Sequence, residues 1–287
     1  MTDTCQSQDH LLNLRVNLYN IIDLNKNILE IGASHAPLMD HSKENVYNID
    51  VLTKEELIDK NKKENWGSFD DNRVPNTDFL LSADNDFDFY KCIGDTIKFD
   101  YIVSSHNFEH FPDLIKTLNS LEKILTDNGR IIAFMPDCRF EFDKFRNVTK
   151  VSKLLSDFYL KKSKPSLEEI LENRLYYCDK STHSLWDQYN TCKNMSSLDT
   201  DVYLKKEEHQ LLHSQIDKGN NKDELDFIYK QFLTENYIDA HVNCFTPDSF
   251  KTNLEILLKL KYIHLTIDSL QYTHENSHEF SVILKKQ

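Results

Sequence analysis

Short apolar runs alternate with amphipathic stretches along the first half of the chain. Residues 11–24 carry Leu11, Leu12, Leu14, Val16, Leu18, Ile21 and Ile22 near helical spacing, which predicts a lead-in helix. Asn27-Ile-Leu-Glu-Ile-Gly32 then reads as a short buried strand that stops at a glycine. Val46–Asp50 is a second strand ending in an acid, and Thr53-Lys-Glu-Glu56 is a capping box for the helix after it. Residues 77–81 give a third strand and Phe99–Ser105 a fourth. A helix follows Pro112 with Leu114, Ile115, Leu118, Leu121, Ile124 and Leu125 on one face. A turn at Thr126-Asp-Asn-Gly129 leads into a fifth strand, Arg130–Pro136.

This order of strand and helix predicts an α/β fold on a parallel sheet with helices on both faces. Residues 140–239 interrupt it. They are polar and mainly helical in pattern, with helices expected from Pro165, over 198–213 and over 222–234. The expected division is a core of residues 1–139 and 240–287 and an inserted helical segment, 140–239, that serves as a lid or binds the acceptor. The core pattern resumes at Thr246-Pro247, an N-cap followed by proline in the first helical turn. Two terminal strands, 262–272 and 279–285, stand too close together for a helical crossover and should pair antiparallel. The sum is a Rossmann-like, seven-stranded sheet of five parallel strands plus a C-terminal antiparallel hairpin.

Composition removes several classes. Only 5 of 287 residues are glycine, where roughly 20 would be usual. Neither the G-x-G-x-x-G fingerprint nor a P-loop is present, which disfavours NAD, FAD and NTP sites. With 34 Lys+Arg against 47 Asp+Glu the net charge is −13, so no general attraction for nucleic acid or anionic membrane is expected. Six scattered cysteines without C-x-x-C suggest reduced thiols in a cytoplasmic setting. No apolar run reaches the length of a membrane span, and no leader pattern opens the sequence.

In open α/β sheets ligands bind beyond the carboxyl ends of the strands. Three acids fall there. Glu30 ends the first strand, where it could bind an ammonium group or a ring of water and hydroxyls. Asp50 ends the second, about 20 residues beyond the glycine turn, where such acids accept from ribose hydroxyls. Asp84 follows the third and could accept from an adenine amino group.

Leu29-Glu-Ile-Gly32, Asn48-Ile-Asp50, Phe99–His110 with Pro112-Asp113, the Asn128-Gly129-Arg130 turn and the terminal hairpin together resemble class I S-adenosylmethionine-dependent methyltransferases. A narrower resemblance is carried by Pro136-Asp137-Cys-Arg139-Phe-Glu-Phe142-Asp143-Lys-Phe-Arg146 and Tyr237-Ile-Asp239-Ala-His241-Val-Asn-Cys-Phe245-Thr-Pro247. These look like a bacterial subset that accompanies glycosyltransferases in surface-polysaccharide clusters. The resemblance implies that Glu30 and the turn of Gly32, Ala33, Ser34 and His35 hold the methionine part of S-adenosylmethionine. It further implies that Asp50 holds the ribose, that Ala83 and Asp84 hold the adenine, and that Ser105, His106 and Asn107 close over the sulfonium. Many of its members carry two or three glycines in the first turn; this chain carries Gly32 alone, so a side chain at 32 is expected to meet the cofactor.

The expected activity is O-methylation of a sugar or glycan intermediate in polysaccharide biosynthesis, with S-adenosylhomocysteine as the product. Two rivals stay open: a methyltransferase-fold binding or scaffold protein without transfer, and a methyltransferase acting on protein or a small metabolite. Transfer to oxygen calls for an aligned acceptor and often a base. His106, His110 and His241 are the candidates, with Asp239 expected to orient His241 and Asp137 joining His106 and His241 as a catalytic residue. Arg139, Asp143 and Asp239 are candidates for binding acceptor hydroxyls. His110 is read as satisfying backbone or carboxylate partners at a helix start. His106-Asn-Phe-Glu109-His110 matches H-x-x-E-H, but a strand end and Pro112 flank it, so no metal is expected there. His209 and His213 are read as a solvated helix face, and Lys161-Lys162-Ser-Lys164 as surface charge or a contact for a phosphorylated acceptor.

Overall fold

The computed structural model describes residues 14, 15, 17–64, 70–234 and 237–287. Leu11, Leu12, Val16, Cys5 and Gly67 lie outside the described residues, so only part of the expected lead-in helix can be compared.

The strands are β1 (Ile28–Ile31), β2 (Val46–Asp50), β3 (Phe79–Leu80), β4 (Phe99–Ser105), β5 (Leu125–Pro136), β6 (Leu265–Gln271) and β7 (Glu279–Lys286). The helices are α1 (Leu18–Ile21), α2 (Lys54–Glu64), α3 (Phe89–Ile93), α4 (Leu114–Ile124), α5 (Val151–Tyr159), α6 (Leu167–Leu175), α7 (Thr182–Lys193), α8 (Ser197–Asp217), α9 (Lys222–Thr234) and α10 (Pro247–Lys259). The strands form one sheet in the order β3-β2-β1-β4-β5-β7-β6. β1 to β5 pair in parallel, while β7 runs antiparallel to both β5 and β6. The seven-stranded Rossmann-like sheet with its terminal hairpin is therefore as the sequence predicts.

Alternation along the central strands builds the core on both faces. Ile102, Ile131 and Ala133 face a large cluster with Leu118 and Leu121 of α4 and Phe250 and Leu254 of α10. Their neighbours Val103, Ile132 and Phe134 face the other side, with Leu18 and Ile22. Helix starts follow local chemistry. Thr53 and Glu56 exchange the two bonds of a capping box, Asp113 caps α4 through Lys116 N–H, and Thr246 with Ser249 caps α10 behind Pro247.

Some boundaries differ. β3 is only two residues long; just before it, Asp78 exchanges two bonds with Asn48, its N–H donating to the Asn48 carbonyl at 3.0 Å and its carboxylate accepting from the Asn48 amide at 2.8 Å. The expected turn at 126–129 lies inside β5, which starts directly after α4 and passes a register shift opposite Phe99–Tyr101. Gly129 is required there: a Cβ would stand 2.9 Å from the Phe99 carbonyl oxygen.

Residues 140–239 are mainly helical, as expected, and two helices the pattern did not single out, α5 and α7, are added. The start of this segment is welded to the core. Thr149 accepts from the Cys244 amide and from Asn253 Nδ2, and Leu154 of α5 joins the main apolar cluster. Farther along, Phe140 and Trp186 stack at 3.9 Å, and Ile170, Ile228 and Ala240 form a small separate cluster.

Candidate active site

The pairing register brings the predicted strand ends together. Ile31 is level with Ile49 and Ser104, so Gly32 stands beside Asp50 on one flank and Ser105 on the other. The backbone is unusual here. Gly32 has φ +62°, and Ser34 and His106, neither a glycine, also lie in the left-handed region at φ 47° and 54°. Such conformations cost about 1–3 kcal/mol each and gather at ligand sites.

Each candidate has a defined place. Glu30 is buried and turned onto its own loop: its carboxylate accepts from the Leu38 and Met39 amides at 2.7 and 3.1 Å and meets His41 Nε2 at 2.7 Å. It therefore fixes the backbone of residues 33–41, which carries Ala33, Ser34 and His35, and Ser34 Oγ lies 3.4 Å from His35 Nδ1. Asp50 is nearly buried. Its Oδ1 accepts from Val51 N and Leu52 N, while Oδ2 has no hydrogen-bond partner among the described residues. Burial pushes its carboxyl above the usual range, against those two amides and the Lys60 ammonium. Ala83 and Asp84 lie exposed on a 3-10 turn after β3.

Asn107 has a role beyond the expected one. Its Nδ2 donates to the Ile31 and Ser105 carbonyls at 2.9 and 2.8 Å, and its Oδ1 fills the space a Cβ at position 32 would need. A side chain at 32 would meet Asn107 at 2.2 Å. Glycine at 32 is thus required by the protein's own packing, whatever meets it from the ligand side.

Arg15 and Glu279 complete this edge. Arg15 makes two 2.6 Å contacts to the Glu279 carboxylate and a third to Ser105 Oγ, with its guanidinium over the Phe134 ring. Glu279 also meets His106 Nε2 at 3.1 Å. Burial opposes its charge, but His106 and Arg15 hold the carboxyl down to about 2. His106 is correspondingly raised: burial disfavours its charge, and Glu279, Glu109 and Glu141 outweigh that.

Beside these strand ends lies a buried cluster of histidines and carboxylates. The segment 240–243 is tied to the turn after β4, because Val242 N and Asn243 N both donate to the Glu109 carbonyl, at 2.7 and 2.9 Å. Asn173 of α6 holds the His241 backbone from the other side. His241 Nδ1 lies 2.5 Å from Asp143 Oδ2, and Asp143 Oδ1 accepts from Arg146. Burial raises the Asp143 carboxyl, yet His241 and Arg146 bring it below the usual range. His110 Nδ1 meets Asp239 at 2.9 Å. Burial opposes charge on His110, but Asp239, Glu109 and Asp143 raise it to about 8.

Two expectations shift. Asp239 is the partner of His110, and Asp143 is the residue that orients His241. Asp137 is fully buried with both oxygens occupied by Arg139, its own turn and Thr273 Oγ1. It fixes the Arg139 guanidinium, which then lies over Phe140 and Tyr189.

Sequence reasoning passed over Glu109, Glu279 and the stacked pair Phe142–Tyr177, whose ring centroids are 5.1 Å apart and which abuts His241 at 4.6 Å from Phe142. Glu109 had a signal, its place between two histidines just past a strand. Glu279 had none, since its partners lie 264 and 173 positions away.

The strand order and the ligand edge define a methyltransferase-type Rossmann-like fold. The chain belongs to the Methyltransferase domain family, which matches residues 8–255. Members of this family with this fold use S-adenosylmethionine. A search of curated proteins finds no match. Similar solved structures include the CcbJ methyltransferase of Streptomyces caelestis, at 10% identity over 95% of this chain and 88% of that one, with a TM-score of 0.42. An S-adenosylmethionine-dependent methyltransferase of Clostridium acetobutylicum is similar at 9% identity, with the same coverages and TM-score. A protein from Pyrococcus horikoshii is similar at 16% identity over 96% and 88%, with a TM-score of 0.42. Among the described residues no helix is long and apolar enough to cross a membrane.

Proposed function

We propose that the chain transfers a methyl group from S-adenosylmethionine to a hydroxyl of a sugar or glycan intermediate, in the cytoplasm, during surface-polysaccharide synthesis. The observation that carries the transfer reading is the half-satisfied Asp50 carboxylate at the strand edge, next to a buried histidine–carboxylate cluster. With Oδ1 taken by two backbone amides, the free Oδ2 of this mostly buried carboxylate is an acceptor open to a ligand's hydroxyls. S-adenosylmethionine supplies a methyl group on a positively charged sulfur.

The chain's own residues then have separable tasks. Asp50 Oδ2 accepts from the ribose hydroxyls, and the Ala83–Asp84 turn receives the adenine. Glu30 holds the loop that presents Gly32, Ala33, Ser34 and His35 to the methionine part. Ser105, His106 and Asn107 line the sulfonium side, where Arg15 and Glu279 lock Ser105 and His106. His106 and His241 each have one ring nitrogen held by a carboxylate, Glu279 and Asp143. That arrangement fixes the ring and leaves the other nitrogen to take the acceptor's hydroxyl proton.

The acceptor class rests on the resemblance and on the residues around His241. Arg139 and Asp239 are polar groups suited to hydroxyls, while Asp143, buried with both oxygens taken by His241 and Arg146, orients the ring instead. The stacked Phe142–Tyr177 pair adds aromatic surface beside His241.

Incubation with methyl-labelled S-adenosylmethionine and a panel of sugar nucleotides and oligosaccharides tests the reading. Label in a glycan, with S-adenosylhomocysteine released, supports it. Label in a protein or small metabolite replaces the acceptor class. Cofactor binding with no transfer to any acceptor identifies a protein that has kept the fold and lost the reaction.

A further inference from the structure

Glu109 is 1% exposed, and neither of its carboxylate oxygens has a hydrogen-bond partner. A buried carboxylate in that state requires a compensating positive charge. Nitrogen atoms of three histidines surround its Oε1: His106 Nδ1 at 3.8 Å, His110 Nε2 at 3.8 Å and His241 Nε2 at 3.9 Å. All are too far for a hydrogen bond.

The orientation of the rings is informative. His241 Nδ1 is held by Asp143 and His110 Nδ1 by Asp239. Both rings therefore aim Nε2 inward at Glu109. A carboxylate behind each imidazole, fixing the tautomer so that the inner nitrogen offers its lone pair, is the outer-shell arrangement of metal-bound histidine. Glu109, His110 and His241 each present one ligand atom, and these lie within 4.8 Å of one another. Around a tetrahedral zinc ion, ligand atoms sit about 3.3 Å apart. The Glu109 oxygen, 3.8 and 3.9 Å from the two ring nitrogens, needs to close by roughly half an ångström to reach that spacing, and the two nitrogens already lie within 4.8 Å of each other.

We propose that Glu109, His110 and His241 form a binding site for a divalent transition-metal ion of the zinc class. Two imidazoles and one carboxylate suit such an ion better than magnesium or calcium, which take oxygen ligands. Three protein ligands leave at least one position for water or an acceptor oxygen. The partly exposed faces of His106 and His110 give that position access to solvent. With the ion bound, His106 is the ring left free to accept a proton. The inference corrects the expectation of no metal at the H-x-x-E-H run: the first histidine of the run is not a ligand, and His241, from 132 positions beyond Glu109, takes its place. The site shares His241 Nε2 with the methyl-transfer reading, so a bound ion would leave the base role to His106; its own test needs neither cofactor nor acceptor.

Two other groupings are weaker. His106, His278 and Glu279 also approach one another, but Glu279 is already neutralised by Arg15. His209 and His213 offer two rings 4.5 Å apart without an assigned third ligand.

The test is titration of the chelator-stripped full chain with zinc chloride by calorimetry, and with cobalt chloride read by visible absorption. One ion per chain is expected, with the strong cobalt absorption of a four- or five-coordinate site. Glu109→Gln and, separately, the less disruptive His110→Ala should each weaken zinc binding by at least about 100-fold. A double His209→Ala/His213→Ala variant should bind as the natural chain does. Absence of a tight site in the natural chain overturns the proposal. So does a site that survives both Glu109→Gln and His110→Ala, or one lost in the His209/His213 double variant. Circular dichroism of each variant separates loss of the site from loss of the fold.

Discussion

The side-chain amide of Asn107 occupies the volume that a Cβ at Gly32 would fill, 2.2 Å from its ideal position. Asn107 in turn braces the carbonyls at the ends of β1 and β4. A glycine at the end of the first strand is thus demanded twice, by φ +62° and by the amide packed over it. Gly32→Ala should lose about 1–2 kcal/mol of stability from the left-handed backbone alone, plus the cost of displacing Asn107. Chemical denaturation of Gly32→Ala, with Asn107→Ala/Gly32→Ala beside it, checks this. Compared with Asn107→Ala alone, the double variant should show only the backbone cost, because the clash is gone.

Asp50 should matter to the cofactor far more than to the fold. Asp50→Ala removes an acceptor of which only one oxygen is used internally, so cofactor affinity should fall by roughly 1–3 kcal/mol. Calorimetric titration with S-adenosylhomocysteine measures it. An unchanged affinity removes Asp50 from the ribose role.

Asp143 should matter to the fold. It sits between His241 and Arg146 with all three side chains nearly buried. Removing one member of such a group leaves the others uncompensated, so Asp143→Ala should cost roughly 3–5 kcal/mol. His241→Ala should lower turnover with little change in cofactor affinity. Unfolding midpoints of the first variant and steady-state rates of the second separate the two roles.

Glu279 predicts a pH dependence. Its carboxyl is held at about 2 in the fold against an ordinary 4.5. The charged form is the one favoured, so its contribution is complete above about pH 4.5. It is lost as the pH falls from there toward about 2, on the order of 2–3 kcal/mol in all. Urea midpoints from pH 7 to pH 3 should fall more steeply for the natural chain than for Glu279→Gln. Parallel curves would show that Arg15 and His106 do not depend on the Glu279 charge.

The strands of the core were legible because most are short apolar runs, the first closed by a glycine and the second by an acid, and because the short connection between the last two forces them to pair. Asp50 and the turn at Gly32 were legible for the same reason: a strand end is a local feature. What escaped is tertiary. Glu30 lies where a ligand acid is expected, yet the amides of Leu38 and Met39 and the ring of His41 take it up. Asp239 stands two residues before His241 but serves His110, while Asp143, 98 positions from His241, orients that ring. Proximity in sequence picked the wrong carboxylate because the partner of each ring is set by the element folded beside it: Asp143, just past β5, reaches His241, and the turn after β4 brings His110 to Asp239. Glu109 looked like part of a helix start; its isolation appears only when the segment around His241 folds over it.

The central claim is a cofactor site at the carboxyl edge of β1 and β2. Isothermal titration of the purified chain with S-adenosylhomocysteine tests it most directly. One molecule should bind per chain, roughly 5- to 150-fold more weakly in Asp50→Ala. A natural chain that gives no binding at any accessible concentration, or an Asp50→Ala variant that binds equally well, would contradict it.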